Sequence, residues 1–255
     1  MIIKQISKKQ KEILILLYRF RFLNTNQIQK LLNHKLPTRI QEWLKDLKDT
    51  GYIDTNYKRE TSSNTRPAVY WLLPKARTVL KQEEDCSLKE LDKVYKEGTR
   101  KEKFISRCLL IADIYLLFLS KKDRKENIQF FTKTELSRYD YFPDPLPDAY
   151  ISVETKREAT RYLLHYFDPY TPAFVLRNRV KSYIQYAESS KWEESTDTSF
   201  PLVLFVCPDE SLKKHIYHHA KAKLEKEYHS KLSLFLTTKG AIQNGSSDIW
   251  QEVES

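Results

Sequence analysis

Three consecutive apolar stripes at helical spacing open the chain, and two short strand-like segments follow them. In each stripe, large apolar side chains recur every three or four positions, which is the repeat of an amphipathic helix. The stripes lie in residues 8–23, 24–32 and 37–49, and the strand-like segments are residues 52–54 and 68–72. We therefore expect three helices and then a two-stranded ribbon.

The residues at the ends of these segments support the same order. Asn24 or Thr25 is a suitable cap for the second helix, and Pro37 suits the first turn of the third. Gly51 is placed to end that third helix. A polar stretch, residues 61–65, predicts the turn of the ribbon.

This order, and the sequence LKDLKDTGYI…RPAVYWLLPKARTVL in particular, resembles the bacterial winged helix-turn-helix family over about 70 residues. The resemblance implies that the third helix enters the major groove of DNA. It also implies that the wing, at residues 58–66, reaches a backbone or the minor groove.

The apolar stripe of the third helix, Ile40, Trp43, Leu44 and Leu47, predicts which of its residues face DNA. The candidate contacts on its outer side and in the wing are Thr38, Arg39, Gln41, Lys45, Lys48, Lys58, Arg59 and Arg66. Arginine can bind guanine bidentately and glutamine can bind adenine, whereas lysine is better suited to phosphates. Glu42 and Asp46 make this surface less than uniformly basic, and an ordinary solvated helix face is the alternative for each position.

The positive charge of the protein is confined to this region. Residues 1–82 hold 17 Lys and Arg against 6 Asp and Glu, a net charge of +11, and the other residues sum to −1. Clustered cations favour nucleic-acid binding because neutralising phosphates releases condensed counterions. A lysine-rich surface that keeps the protein soluble is the alternative.

Several classes of protein are excluded by composition. The four glycines do not form a phosphate-binding loop, and the three cysteines form no C-x-x-C pair or disulfide framework. The longest apolar stretch, residues 108–119, is too short to cross a bilayer, and the N-terminus lacks a signal-peptide pattern. We expect a cytoplasmic protein that does not contact a membrane.

The remainder of the chain predicts a linker and an α/β domain. Residues 83–98 are charged and end at Gly98, so we expect a hinge or partly helical linker between domains 1–82 and 99–255. The second domain has the order α-β-β-β-α-β-α-β and a final short helix near Ile249, with a central mixed sheet. The expected elements are 101–120, 128–136, 149–153, 162–167, 173–189, 202–206, 210–228 and 232–237.

An αβββαβ core with Pro147-Asp148 before its second strand resembles the PD-(D/E)xK nuclease-like fold, a restriction-endonuclease-like domain. The resemblance implies carboxylates that hold Mg²⁺ and activate water. Glu135 and Asp148 match two acidic positions, Asp168 is a weak substitute, and Lys181 is placed to replace a migrated lysine. The third strand lacks the D/E-x-K triplet, so we expect a degenerate catalytic site and no required cofactor.

Both halves together resemble the replication-relaxation family of plasmid and mobile-element proteins. The matching motifs are PDAYISVE, YFDPYT with Asp168 and Thr171, and RVKSYIQYAE with Lys181 and Tyr183. Tyr166 stands where the family commonly has an acid. The resemblance implies a role in replication, relaxation, mobilisation or transcriptional control.

Three functions follow from these features. The leading one is a sequence-preferring duplex-DNA binder that forms homodimers and recruits a replication, mobilisation or transcription protein. The alternatives are a Mg²⁺-dependent DNA nuclease and an adaptor whose basic domain binds an acidic protein. The triplet of His215, His218 and His219 has no zinc-protease pattern and is interpreted as a solvated basic helix face, and most of the tyrosines are interpreted as packing residues.

Overall fold

A computed structural model describes residues 6–56, 67–226, 231–245 and 248–254 of the chain. The chain divides into two compact units, Met1–Leu116 and Leu117–Ser255. The predicted domain boundaries differ from this division, because residues 83–98 and most of the following helix lie in unit 1.

Unit 1 has the predicted order of three helices followed by paired strands. Its helices and strands are α1 (Lys8–Phe20), β1 (Leu23–Asn24), α2 (Thr25–Leu31), α3 (Pro37–Asp49), β2 (Ile53–Thr55), β3 (Val69–Leu72), α4 (Arg77–Leu80) and α5 (Leu88–Leu91). The next helix, α6 (Glu102–Lys121), begins in this unit. The first strand was not predicted, and it converts the expected ribbon into a three-stranded sheet of order β1-β3-β2.

Local sequence signals set the ends of the first three helices. Ser7 and Gln10 form a reciprocal capping box at the start of α1, and Asn24 and Gln27 form another at the start of α2. Gly51 follows α3 with φ of +76°, a left-handed conformation that residues with a Cβ adopt only under strain.

The predicted linker, residues 83–98, is a packed part of unit 1. Cys86, Leu91 and Val94 are buried in it, and α5 and a 3-10 helix (Val94–Thr99) order its backbone. The Arg21 guanidinium, next to α1, donates two hydrogen bonds to the Glu97 carboxylate, the one from Nε at 3.0 Å. Charged residues outnumber these few buried apolar residues, so the segment has the composition of a hinge although it is packed.

Unit 2 is built around one mixed sheet. Its elements are β4 (Asn127–Thr132), α7 (Lys133–Leu136), β5 (Ala149–Glu154), β6 (Ala159–Tyr166), α8 (Ala173–Glu188), α9 (Lys191–Thr196), β7 (Leu202–Cys207), α10 (Glu210–Leu224), β8 (Leu234–Thr238), α11 (Lys239–Asn244) and β9 (Gln251–Glu252). The strands are ordered β4-β5-β6-β7-β8-β9. The β6-β7 and β7-β8 pairs are parallel, and the other three pairs are antiparallel.

This topology confirms the predicted fold class. A meander of three antiparallel strands is followed by α8 and then by β7, which lies parallel to β6, as in an αβββαβ core. Helices α8 and α10 share one core cluster with the sheet, in which Val180 and Ile216 pack with Leu163 and Phe205. Both crossover helices therefore cover the same sheet face, as two right-handed connections require.

Two predicted elements in unit 2 are wrong. The strand expected to reach residue 136 ends at Thr132, because Thr132 and Glu135 form a capping box that starts α7. The final helix expected near Ile249 is absent, because residues 248–250 have no regular secondary structure and lead into β9, and the last helix, α11, lies before them. Helix α9 was not predicted.

In the described part of the chain, no helix is both long and apolar enough to cross a membrane. The three cysteines, Cys86, Cys108 and Cys207, are free thiols, and all are buried.

Candidate nucleic-acid interface and carboxylate cluster

Helix α3 presents the predicted polar side. Ile40, Leu44 and Leu47 are buried, which fixes the rotation of the helix about its axis. The residues predicted to face DNA from this helix, Thr38, Arg39, Gln41, Lys45 and Lys48, are all exposed. The predicted wing contacts Lys58, Arg59 and Arg66 lie outside the described residues.

Trp43 lies at the edge of the core, half-buried rather than fully inward as predicted. Its ring meets the His34 ring edge-on, with centroids 5.1 Å apart, and the Arg39 guanidinium lies 5.6 Å from its centroid. Leu36, the residue before Pro37, is 61% exposed beside these groups. Sequence reasoning missed Leu36, although an apolar residue between a turn and a polar helix start was a possible signal.

Helix α3 has three acidic residues, Glu42, Asp46 and the exposed terminal Asp49, and the first two differ in their environment. The Gln10 side-chain amide of α1 donates a 2.7 Å hydrogen bond to the Asp46 carboxylate. The Glu42 carboxylate is instead exposed and accepts a 2.7 Å hydrogen bond from Arg39. Asp46 is thereby held against α1, and Glu42 and Asp49 are the acidic residues of α3 that remain exposed.

The predicted acidic residues of unit 2 have structural partners. Glu135 accepts a 2.8 Å hydrogen bond from the Thr132 backbone N–H as part of the α7 cap. Asp148, directly before β5, accepts a 2.8 Å hydrogen bond from the Tyr166 backbone N–H of β6. Asp168, two residues after β6, accepts a hydrogen bond of 3.1 Å from the Tyr170 backbone N–H.

These acids do not form a recognisable metal centre. Lys181 is exposed on α8, whereas Asp148 is buried. Among the described residues, no group of three or more His, Cys, Asp or Glu side chains is placed to hold a metal ion. The carboxylates present therefore do not fit the Mg²⁺ site that the nuclease-like resemblance implies, and we derive no metal-dependent step.

Two buried polar side chains lie beside Asp148, namely His165, which was not predicted as a site residue, and Tyr183, which belongs to the RVKSYIQYAE motif. The Nδ1 atom of His165 lies 4.0 Å from Asp148 Oδ2, and the His165 ring meets the Tyr183 ring edge-on with centroids 5.4 Å apart. Burial raises the pKa of the Tyr183 hydroxyl far above its ordinary value, so this group stays neutral. The alternation of Leu163 and His165 in β6 with Phe167 just after the strand was a signal that His165 faces the core.

Comparisons with solved structures find restriction endonuclease FokI, alone and bound to DNA, at TM-scores of 0.33 and 0.28 and sequence identities of 13% and 14%. The alignments cover 94% of this chain and only 44% and 45% of the endonuclease chains, so this chain spans less than half of their length. No curated protein sequence gives a significant match. Similarity this low supports no inference about chemistry.

The comparison with protein families matches residues 14–203 to the replication-relaxation family. The matched region begins within α1 and includes α2, α3 and the paired strands of unit 1, together with β4, β5, β6 and α8 of unit 2. Because the match covers well over half of the 255 residues, this chain belongs to the replication-relaxation family.

Proposed function

We propose that the chain is a sequence-preferring duplex-DNA-binding protein that uses α3 as its recognition helix. The observation that supports this most strongly is the outer side of α3, where Arg39, Gln41, Lys45 and Lys48 are exposed together, opposite the buried side chains of Ile40, Leu44 and Leu47. A rigid helix that presents bidentate and cationic side chains from one side matches the major groove.

The electrostatics of unit 1 support the same role. Of the three acids of α3, Asp46 is held by Gln10, Glu42 is paired with an arginine and Asp49 is exposed. The exposed side chains of the helix still sum to a positive charge, because Arg39, Lys45 and Lys48 outnumber Glu42 and Asp49. Phosphates are the polyanion that such a field attracts, and their binding releases counterions. The Arg39–Glu42 pair is exposed at both ends, so its exchange for a DNA contact costs little.

Unit 2 is proposed to act as an assembly and recruitment scaffold without nuclease activity. Its acidic residues serve a helix cap, a strand contact and a turn, and this supports a structural rather than a metal-binding role. We propose that the protein acts as a homodimer, in replication, relaxation, mobilisation or transcriptional control of a plasmid or mobile element, and that unit 2 binds a protein of that process.

The test is selection from random duplex DNA by the full chain at two salt concentrations, with Mg²⁺ present. We expect enrichment of one motif, intact DNA and steep salt dependence. Arg39→Ala is expected to cost about 1–3 kcal/mol of binding free energy and to relax specificity at one base pair. Lys48→Ala is expected to weaken binding to all DNA sequences about equally.

Lys89→Ala is the matched control, because Lys89 is an exposed lysine of unit 1 outside α3. Equal losses in Lys48→Ala and Lys89→Ala would refute the assignment of α3. Cut DNA would refute the non-enzymatic role of unit 2 and favour the nuclease, with Asp148→Ala as its test. Absence of a DNA complex at moderate salt would favour the adaptor that binds an acidic protein.

A further inference from the structure

Unit 2 has a basic surface of its own where α8 and α10 lie side by side. The Arg177 guanidinium of α8 donates a 3.2 Å hydrogen bond to Nε2 of His215 on α10. Residues three, four or eight positions from these two lie on the same side of each helix. We define the α8/α10 surface by Phe174, Arg177, Lys181, His215, His219 and Lys223.

Acidic residues are missing from the sequence segments that form this surface. Residues 169–187 and 211–224 together contain seven Lys and Arg, three His and no Asp or Glu, although residues 83–255 sum to −1. Two of the lysines, Lys213 and Lys221, are paired with Glu210 and Glu225 at the ends of α10. The cations of the α8/α10 surface have no ion pair among the described residues.

The positive groups are close enough to repel one another. Partial burial lowers the pKa of His219, and the charges of Arg177, Lys223 and His215 lower it further. Arg177 can only donate, so Nε2 of His215 is the acceptor in their contact. Such a concentration of like charge is stabilised by a bound anion.

Exposed aromatic side chains border the cations. Tyr170, just before α8, is 81% exposed, and Phe174, in its first turn, is 55% exposed. Phe174 lies one helical turn from Arg177, so an aromatic ring and a guanidinium are neighbours on the same side of α8. Exposed rings beside cations are the arrangement on which unpaired bases stack while the backbone follows the positive charge.

We propose that the α8/α10 surface is a second nucleic-acid-binding site, separate from α3, that binds a short stretch of single-stranded nucleic acid. Arg177, Lys181 and Lys223 contact successive phosphates, and Phe174 and Tyr170 stack on bases. A duplex or an acidic peptide satisfies the cations but offers no free base face to the rings, so an unpaired strand matches both features.

The test uses the full chain and a fluorescent 20-nucleotide oligothymidine, with binding followed by anisotropy at two salt concentrations. Three phosphate contacts give a slope of about −2 for the logarithm of the association constant against the logarithm of the salt concentration. Affinity therefore falls roughly 15- to 20-fold for a fourfold rise in salt concentration. The triple variant R177Q/K181Q/K223Q is expected to abolish most of this dependence, and Phe174→Ala to weaken binding about tenfold.

The matched control is R124Q/K156Q/R157Q, which removes the same charge from exposed positions of unit 2 outside α8 and α10. Near-normal oligothymidine binding by this control, and by the α3 variant R39Q/K45Q/K48Q, supports the proposal. If the proposed function holds, the α3 variant also loses duplex binding. Each proposal can therefore be refuted without refuting the other.

Four results overturn the inference. They are no oligothymidine binding by the unmodified protein, equal losses in the two unit 2 triple variants, loss only in the α3 variant, and equally effective competition by polyglutamate. Thermal melting of every variant distinguishes lost binding from lost folding.

Discussion

Two acidic residues of α3, Glu42 and Asp46, lead to different predictions for DNA binding, although they lie four residues apart on one helix. Glu42→Gln removes an exposed carboxylate and releases Arg39, whereas Asp46→Asn changes a side chain that Gln10 already holds. We expect Glu42→Gln to tighten duplex-DNA binding and Asp46→Asn to leave it nearly unchanged. For stability we expect the larger effect from Asp46→Asn, which lowers it.

The magnitudes follow from the geometry. A carboxylate about 6 Å from a phosphate in water repels it by roughly 0.7 kcal/mol, and an exposed i,i+3 pair is worth about 0.3–0.5 kcal/mol. Together these give about 1 kcal/mol, a gain of roughly fivefold in affinity for Glu42→Gln. Asp46→Asn weakens a charge-assisted hydrogen bond and is expected to lower stability by about 1 kcal/mol.

The assay is a duplex-binding titration with the selected motif, combined with thermal melting of the same variants. A cost of 1 kcal/mol corresponds to a decrease of about 4 °C in Tm for a unit of this size. If Asp46→Asn tightens binding as much as Glu42→Gln, the contrast between a partly buried and an exposed carboxylate is refuted. If neither variant affects binding while the melting results hold, α3 is not the recognition helix.

Further predictions concern buried groups. Arg21→Met leaves the Glu97 carboxylate buried without its main partner and is expected to cost about 3–5 kcal/mol in unfolding experiments, more than Glu97→Gln. Burial raises the pKa of Glu97 despite Arg21, so protonation favours the folded state. Stability of the unmodified protein relative to Glu97→Gln is therefore expected to fall as pH rises from about 4.5, and a Tm difference that is constant with pH contradicts this. Burial raises the pKa of the Cys207 thiol to about 12, so a thiol reagent at pH 8 is expected to label Cys207 only after denaturation. Asp148→Ala is expected to lower Tm, through the lost backbone contact in the core, without changing duplex affinity; lost affinity with unchanged Tm argues against this structural role.

The order of elements was accessible from sequence because local signals specify it. Helical repeats, the caps at Asn24 and Pro37, and Gly51 after α3 are properties of neighbouring residues, and the structure confirms each of them. The exposed side of α3 was predictable for the same reason, since a buried stripe fixes the opposite side. Trp43 was the exception, because its position at the edge of the core depends on His34 and Arg39.

Long-range pairing explains the failures. Residues 83–98 have the composition of a linker, but Arg21 and a few spaced apolar residues anchor them in unit 1. Strand β1 is only two residues long and is defined by its partner β3 rather than by its own pattern. The early end of β4 has a local cause, the capping box of Thr132 and Glu135, which the apolar alternation of the segment obscured.

The sequence by itself determined most of the helices and strands, the basic first third and the polar side of α3, because periodicity, capping and charge are encoded in nearby residues. Only the tertiary structure decided what the charged groups contact. Asp46 accepts a hydrogen bond from Gln10, and Glu135 caps α7. Arg177 and His215, which are 38 positions apart in the chain, lie within hydrogen-bonding distance. The free energy of a charged side chain depends on partners and burial that chain folding supplies, and no spacing rule contains that information.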